Sequence, residues 1–174
     1  MTSPSSDDRP IPRLTHVDEH GRAHMVDVSG KPVTRRVAEA RCAVRSTADI
    51  GAVLDHPPGG ADLIETARIA GVMAAKRTPS LVPLCHPLLL DGFDVEVAVV
   101  PGGFAVRAVT SVADRTGVEM EALTACAAAA LVLVHALLEV DPRSSVEDLT
   151  LWHKSGGRSG VWERPDGARS AGAS

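Results

Sequence analysis

The chain has 174 residues, enough for one domain with a sizeable core. Apolar residues make up 44% of it but aromatic ones only 2%, so the interior has to be filled by Ala, Val and Leu. A net charge of −4 speaks against the basic surface of a general nucleic-acid binder, yet leaves room for a small anionic substrate where basic side chains converge.

Residues 1–13, MTSPSSDDRPIPR, are rich in Ser, Pro and charge and read as a disordered tail. His16, His20 and His24 recur every four residues, a spacing that would suit a metal on a helix. Gly21 and the polar residues around it argue for a turn instead. In RRVAEARCAVRS, Ala38, Ala40, Cys42 and Val44 alternate with Glu39, Arg41 and Arg45, which predicts a strand over 36–45. Ser46 follows as a helix cap with Asp49 three residues on, and HPPGG (56–60) breaks that helix. ADLIETARIAGVMAAKRT predicts a second helix, with Leu63, Ala67, Ala70 and Ala74 along one face.

LVPLCHPLLL (81–90) comes next. Two prolines stiffen Leu84-Cys85-His86 into a locally extended segment. His86 is thereby presented in a fixed orientation, which suits a proton donor or acceptor, although a buried loop histidine with a satisfied hydrogen bond fits equally well. Neighbours in an extended segment face opposite ways, which speaks against a Cys85–His86 nucleophilic pair. FDVEVAVV and FAVRAVTSV alternate around Pro101-Gly102-Gly103, a hairpin signal.

TGVEMEALTACAAAALVLVHALLEVD (116–141) predicts a long helix that opens on a Thr116/Glu119 capping box and stops at Asp141-Pro142. Its apolar run falls short of the ~20 residues of a bilayer span. Glu121 has no capping role and points away from Glu119. Met120 is by default a core residue. His135 and Leu138 share one face at i, i+3, where a core or interface histidine is the plain reading. DLTLWHK forms a last strand. In KSGGRSG (154–160) three glycines can bring backbone N–H groups to an anion flanked by Lys154 and Arg158, or can form a simple turn. The Walker spacing is absent. Residues 163–174 read as a second tail, leaving a domain over 14–162.

Cys42, Cys85 and Cys126 are odd in number and far apart, so no disulfide framework is expected. With no charged-then-apolar leader, a cytoplasmic protein is expected. The order strand, helices, strand, strand, helix, strand is the split βαβ–βαβ arrangement of ferredoxin-like α+β folds: a four-stranded antiparallel sheet with an additional helix. One sheet face would be covered by helices and the other by something else, such as a second subunit.

Four segments together resemble the MoaC family: LTHVDEHGRAHMVDVSGKPVTRRVAEA (14–40), ETARIAGVMAAKRTPSLVPLCHPLLL (65–90), TGVEMEALTA (116–125) and KSGGRSG (154–160). The resemblance implies conversion of a cyclised dihydro-GTP intermediate to cyclic pyranopterin monophosphate, with loss of pyrophosphate, in molybdenum cofactor biosynthesis. It implies a homohexamer, a trimer of dimers, with active sites at subunit interfaces. No metal or organic cofactor, nucleic acid or membrane is implied. By position, Leu84, Cys85, His86, Met120 and Glu121 line the substrate pocket, and Glu119 and Lys154 match further pocket residues. His86, Glu119 and Lys154 are suited to proton transfer. Lys154, Arg158 and the glycine loop can neutralise the triphosphate.

Three positions depart from the family pattern. His135 stands where the family has an aspartate, Leu138 where it has a lysine, and Gly60 where a further catalytic lysine is expected. Two readings follow: a synthase in which His135 takes over proton transfer, or a catalytically impaired MoaC-like paralog that acts as a nucleotide-binding or assembly protein.

Overall fold

The computed structural model describes residues 16–18, 20–56 and 62–165. β1 (Thr34–Arg45) leads into a short helix, α1 (Ile50–Asp55), then α2 (Leu63–Ala75) and a single turn, α3 (Thr78–Leu81). The hairpin of β2 (Gly92–Val100) and β3 (Gly103–Asp114) follows. The long helix α4 (Glu119–Leu137), β4 (Ser145–Ser155) and a two-residue edge strand, β5 (Trp162–Glu163), complete the chain. The sheet order is β2-β3-β1-β4-β5 with every neighbour antiparallel, the ferredoxin-like order plus one edge strand.

The alternation in β1 works as expected. Ala38, Ala40, Cys42 and Val44 are buried and stand opposite Thr110, Ala108, Val106 and Phe104 of β3. This layer packs under α4, where Cys126 Sγ lies 3.3 Å from Cys42 Sγ. α4 is apolar enough, by length and composition, to cross a bilayer, but here its Ala-rich side is the core: Ala122, Ala125, Ala129, Ala130 and Leu133 are all buried. The opposite sheet face is not apolar. Arg107 reaches Glu39 at 2.9 Å and Asp94 and Glu96 at 3.3 Å, and the Arg41 guanidinium lies 4.4 Å over the Trp152 ring. That face carries a charge network of its own.

Several local expectations are corrected. Asp49, not Ser46, caps α1 by accepting from the Ala52 N–H at 3.2 Å. Ser46 is still held at the strand end, its N–H bonded to the Gly102 carbonyl. The buried face of α2 is Leu63, Ala67, Gly71 and Ala75 rather than a line through Ala70 and Ala74. Gly71 sets this rotation: a Cβ there would meet the Ala125 carbonyl at 3.0 Å and Val95 at 3.2 Å, so α2 approaches α4 across bare backbone. Pairing at the C-terminal end runs past the expected boundary at 162, since the Arg164 N–H bonds the Trp152 carbonyl at 2.9 Å. His16, His20 and His24 sit in a turn, with the His24 N–H on the His16 carbonyl and Gly21 at φ 76°. Among the described residues no His, Cys, Asp or Glu group forms a metal-binding cluster.

α4 is anchored at its C-terminal end by Asp141, which is 4% exposed. Its carboxylate accepts from the Thr47 N–H at 2.7 Å, the Thr47 hydroxyl at 2.8 Å and the Ser46 hydroxyl at 3.1 Å. The Arg143 N–H donates to the other oxygen at 3.1 Å. These donors, the Thr47 N–H foremost, hold the carboxyl well below the ordinary carboxylate range. A depressed carboxyl stabilises the fold above its unfolded value of about 3.9 and loses that contribution as pH falls further. Asp141→Asn should therefore lower the urea midpoint at neutral pH. It should also flatten the loss of stability that the wild type shows on acidification below about pH 4. Equal acid sensitivity in both proteins would place the acid-labile contact elsewhere.

Candidate active site

The site is built where the start of α4, the loop after α3, the chain before β1 and the end of β4 meet. The predicted capping box does not form. Val118 occupies the N-cap with no side-chain cap bond, and α4 begins at Glu119 itself. The Glu119 carboxylate instead meets Lys154 Nζ at 3.2 Å. Gly117 makes this possible, because a Cβ there would collide with the Glu119 carboxylate. Both acidic residues lie in the first turn of α4, where the helix dipole favours negative charge.

The loop after α3 turns more sharply than an extended segment. The Cys85 N–H bonds the Val82 carbonyl at 3.0 Å, and Leu84, Cys85 and His86 all line one cavity. His86 Nε2 lies 3.0 Å from the Val26 carbonyl oxygen, a group that can only accept. Nε2 therefore carries hydrogen and the Nδ1 lone pair is left to accept a proton. The Cys85 thiol is pushed up chiefly by burial, with the Glu121 carboxyl once ionised and Glu119 acting in the same direction, which leaves it un-ionised and a poor nucleophile at neutral pH.

The cavity encloses about 240 Å³. Its walls bring together Leu84, Cys85, His86, Glu119, Met120 and Glu121, the residues carried over by position. Met120 is thus partly exposed at a cavity wall and not a core residue. Glu121 is 3% exposed and its carboxyl is pushed up to about 7, chiefly by burial and further by the Glu119 charge. The cavity shares Gly117 and Glu119 with a smaller recess that holds Lys154 and Arg36. That recess in turn shares Arg36 and Ser159 with a cleft of about 520 Å³ containing Arg158 and Lys31. The three spaces run from a carboxyl-lined end to a basic end.

Val26, Lys31 and Arg36 were not singled out from the sequence, and His16 was weighed there only as a metal ligand. His16, Val26 and Lys31 line the cavity, and Arg36 stands between the two further recesses. Their segment matches the family pattern, but the bond that pins it to the site joins Val26 to His86, 60 positions apart. Arg36 is fixed by Nη2 donating to the Arg115 carbonyl at 3.1 Å, and the bare Gly157 leaves room for its guanidinium. Gly156, Gly157 and Gly160 all have positive φ, so this loop needs glycine for its path as well as for any approach of an anion.

His135 and Leu138 are not brought to the cavity within one protomer. They lie on the exposed side of α4 at its C-terminal end, about 24 Å (His135) and about 28 Å (Leu138) from Glu119 at 1.5 Å per residue. Gly60 lies outside the described residues. Asp141 and Arg143 are engaged with Ser46 and Thr47.

The Gly117 contact is directly testable. Gly117→Ala should displace the Glu119 carboxylate and release Lys154. Lys154 should then be labelled faster by an amine-reactive reagent, while stability falls by no more than about 1 kcal/mol, the scale of a half-exposed ion pair. Unchanged labelling would mean that the pair does not depend on the bare backbone.

The comparisons bear on what this arrangement is. The MoaC family model matches residues 25–157. A cyclic pyranopterin monophosphate synthase of Streptomyces avermitilis is 46% identical, over 94% of this chain and 99% of its own length. One from a Nocardioides species is 49% identical, over 88% of this chain and 96% of its own. Cyclic pyranopterin monophosphate synthase 2 of Mycobacterium tuberculosis is 47% identical, over 87% of this chain and 91% of its own. The matched span contains every element from β1 to β4 and both sides of the Glu119–Lys154 pair, and on this ground the chain belongs to the MoaC family.

Proposed function

We propose that the protein is a cyclic pyranopterin monophosphate synthase. It converts a cyclised dihydro-GTP intermediate to cyclic pyranopterin monophosphate and releases pyrophosphate. The observation that carries this reading is the run of joined recesses, carboxyl-lined at one end and basic at the other, with the Glu119–Lys154 pair at the junction. The heterocycle fits the end lined by Leu84, Met120 and Glu121. The phosphates fit the end that holds Lys31, Arg36 and Arg158, where charge-assisted hydrogen bonds favour them. His86, with its Nδ1 lone pair free, can take up a proton, and Lys154 can give one once Glu119 shares it with substrate.

The reading includes an oligomer, a trimer of dimers, in the cytoplasm. The distance of His135 from the cavity supports a shared site: if His135 takes part, it does so from a neighbouring subunit. Light scattering at micromolar concentration should then find an assembly, and a monomer would count against it.

Purified protein incubated with the cyclised intermediate should release pyrophosphate. Lys154→Ala should lower turnover by about 100-fold or more, the usual worth of a positioned proton-transfer group, and should weaken binding more at low salt than at high. Leu138→Lys should leave protomer stability within about 0.5 kcal/mol, because Leu138 is 43% exposed and the added charge stays in water. If His135 and Leu138 limit the rate, His135→Asp with Leu138→Lys should raise turnover beyond either single change. Absence of pyrophosphate from the wild type, from this double variant and from a triple variant that adds Gly60→Lys would overturn the synthase reading.

A further inference from the structure

Glu121 is unusual among the cavity residues. Among the described residues its Oε1 is one of two buried side-chain oxygens without a hydrogen-bond partner, the other being Thr34 Oγ1. The side chain is only 3% exposed, yet it forms part of the cavity wall. An ionised carboxylate in that position would be costly unless a cation or several donors faced it.

Its own backbone N–H and the start of α4 favour the charged form, but burial outweighs them, and among the described residues no side chain bonds Oε1. Glu119, on the same helix, is another carboxylate. The nearest basic group from β4, Lys154, bonds Glu119. The loop after α3 contributes Cys85, an un-ionised thiol, and His86, whose Nε2 is committed to the Val26 carbonyl. The chain before β1 contributes His16 and Lys31 at the cavity wall, neither bonded to Glu121 Oε1. The surrounding walls are apolar: Val26, Val28, Leu84, Leu88 and Met120.

We propose that Glu121 meets its ligand as a neutral carboxylic acid, with Oε1–H donating to a lone-pair acceptor, a ring nitrogen or a carbonyl oxygen, on a heterocycle seated in this cavity. On this proposal the ligand supplies the partner that Oε1 lacks within the protomer. The two carboxyl groups then divide their roles by environment, Glu119 charged against Lys154 and Glu121 neutral in an apolar wall. The assignment also fixes a specificity. A ligand that presents an N–H at this point meets a donor and is rejected, because two donors face each other without an acceptor. The upward push on the carboxyl by burial and by Glu119 acts in the same direction.

The test has two arms, and only the second uses the nucleotide reading made above. In the first, infrared spectra of the ligand-free wild type and of Glu121→Gln are subtracted. The wild type should show a neutral-carboxyl carbonyl band at pH 6 that the variant lacks and that fades as pH rises through about 7. No such band at pH 6 overturns the proposal.

In the second arm the probe is GTP. Wild-type affinity should fall on going from pH 6 to pH 8.5, by up to about tenfold per pH unit above the transition. Glu121→Gln keeps a donor of similar shape, so it should hold the pH 6 affinity and lose this dependence relative to wild type. Glu121→Ala should bind about three- to tenfold more weakly at pH 6, the worth of one net hydrogen bond. Because every other ionisable group, on protein and ligand, is common to all three proteins, the comparison isolates Glu121. A Glu121→Gln variant as weak as Glu121→Ala, or a wild type that binds more tightly at pH 8.5, overturns the proposal. GTP that binds none of the proteins counts against the nucleotide reading instead, and the infrared band then decides Glu121 by itself.

Discussion

The close seating of α4 on the sheet is the constraint on which the rest of the molecule depends. Beside larger side chains such as Leu133, Val106 and Phe104, the contact layer is rich in small ones, Ala122, Ala125, Ala129 and Ala130 on the helix and Ala38, Ala40 and Ala108 on the strands. Such side chains bring backbones together and leave little room for adjustment, because interiors are packed near crystal density. The start of α4 is thereby carried down to the end of β4. There Glu119 and Lys154 meet at 3.2 Å. Gly71 does the same between the two long helices. The scarcity of aromatic residues is therefore tied to the site: a core of larger side chains would separate the elements that supply it.

Two carboxylates leave the same helical turn into different surroundings. Glu119 finds an ammonium, and Glu121 lies in a largely apolar wall with no partner for its Oε1 among the described residues. Environments that push like groups apart in this way are how a single fold holds an acid and a base side by side. The arrangement needs a helix to aim the two residues in different directions, a bare Gly117 to let one fold back, and a turned loop to shut the other away from water.

Much of the fold was legible because period-two and helical patterns are local. The β1 alternation, the hairpin around Gly102 and the long apolar helix all follow from neighbours in the chain. What failed was also local in kind but settled by distant contacts. Thr116 and Glu119 have the spacing of a capping box, yet Lys154, 35 positions away, takes the carboxylate. Ser46 looks like a cap, yet Asp141, 95 positions away, takes its hydroxyl. Gly71 has no side chain to count in a hydrophobic face, although its bare backbone is what turns α2. In the site, the PLCHP and GVEMEA segments declared themselves by motif. Val26, Lys31 and Arg36 did not, because their part depends on a carbonyl and a guanidinium held by bonds across the fold.

The Glu119–Lys154 pair has a consequence for what the site can notice. The lysine is already neutralised, and by a partner tethered to the same molecule and so present at high effective concentration. A chloride ion could replace that carboxylate only by exchanging one negative charge for another, with no net gain. A polyphosphate can engage Lys31, Arg36 and Arg158 in the adjoining cleft first, and reach Lys154 with charge to spare. Under the proposed function the internal carboxylate would act as a standing competitor that sets a valence threshold. Common monovalent anions fall below it, however abundant they are, and multiply charged ones pass.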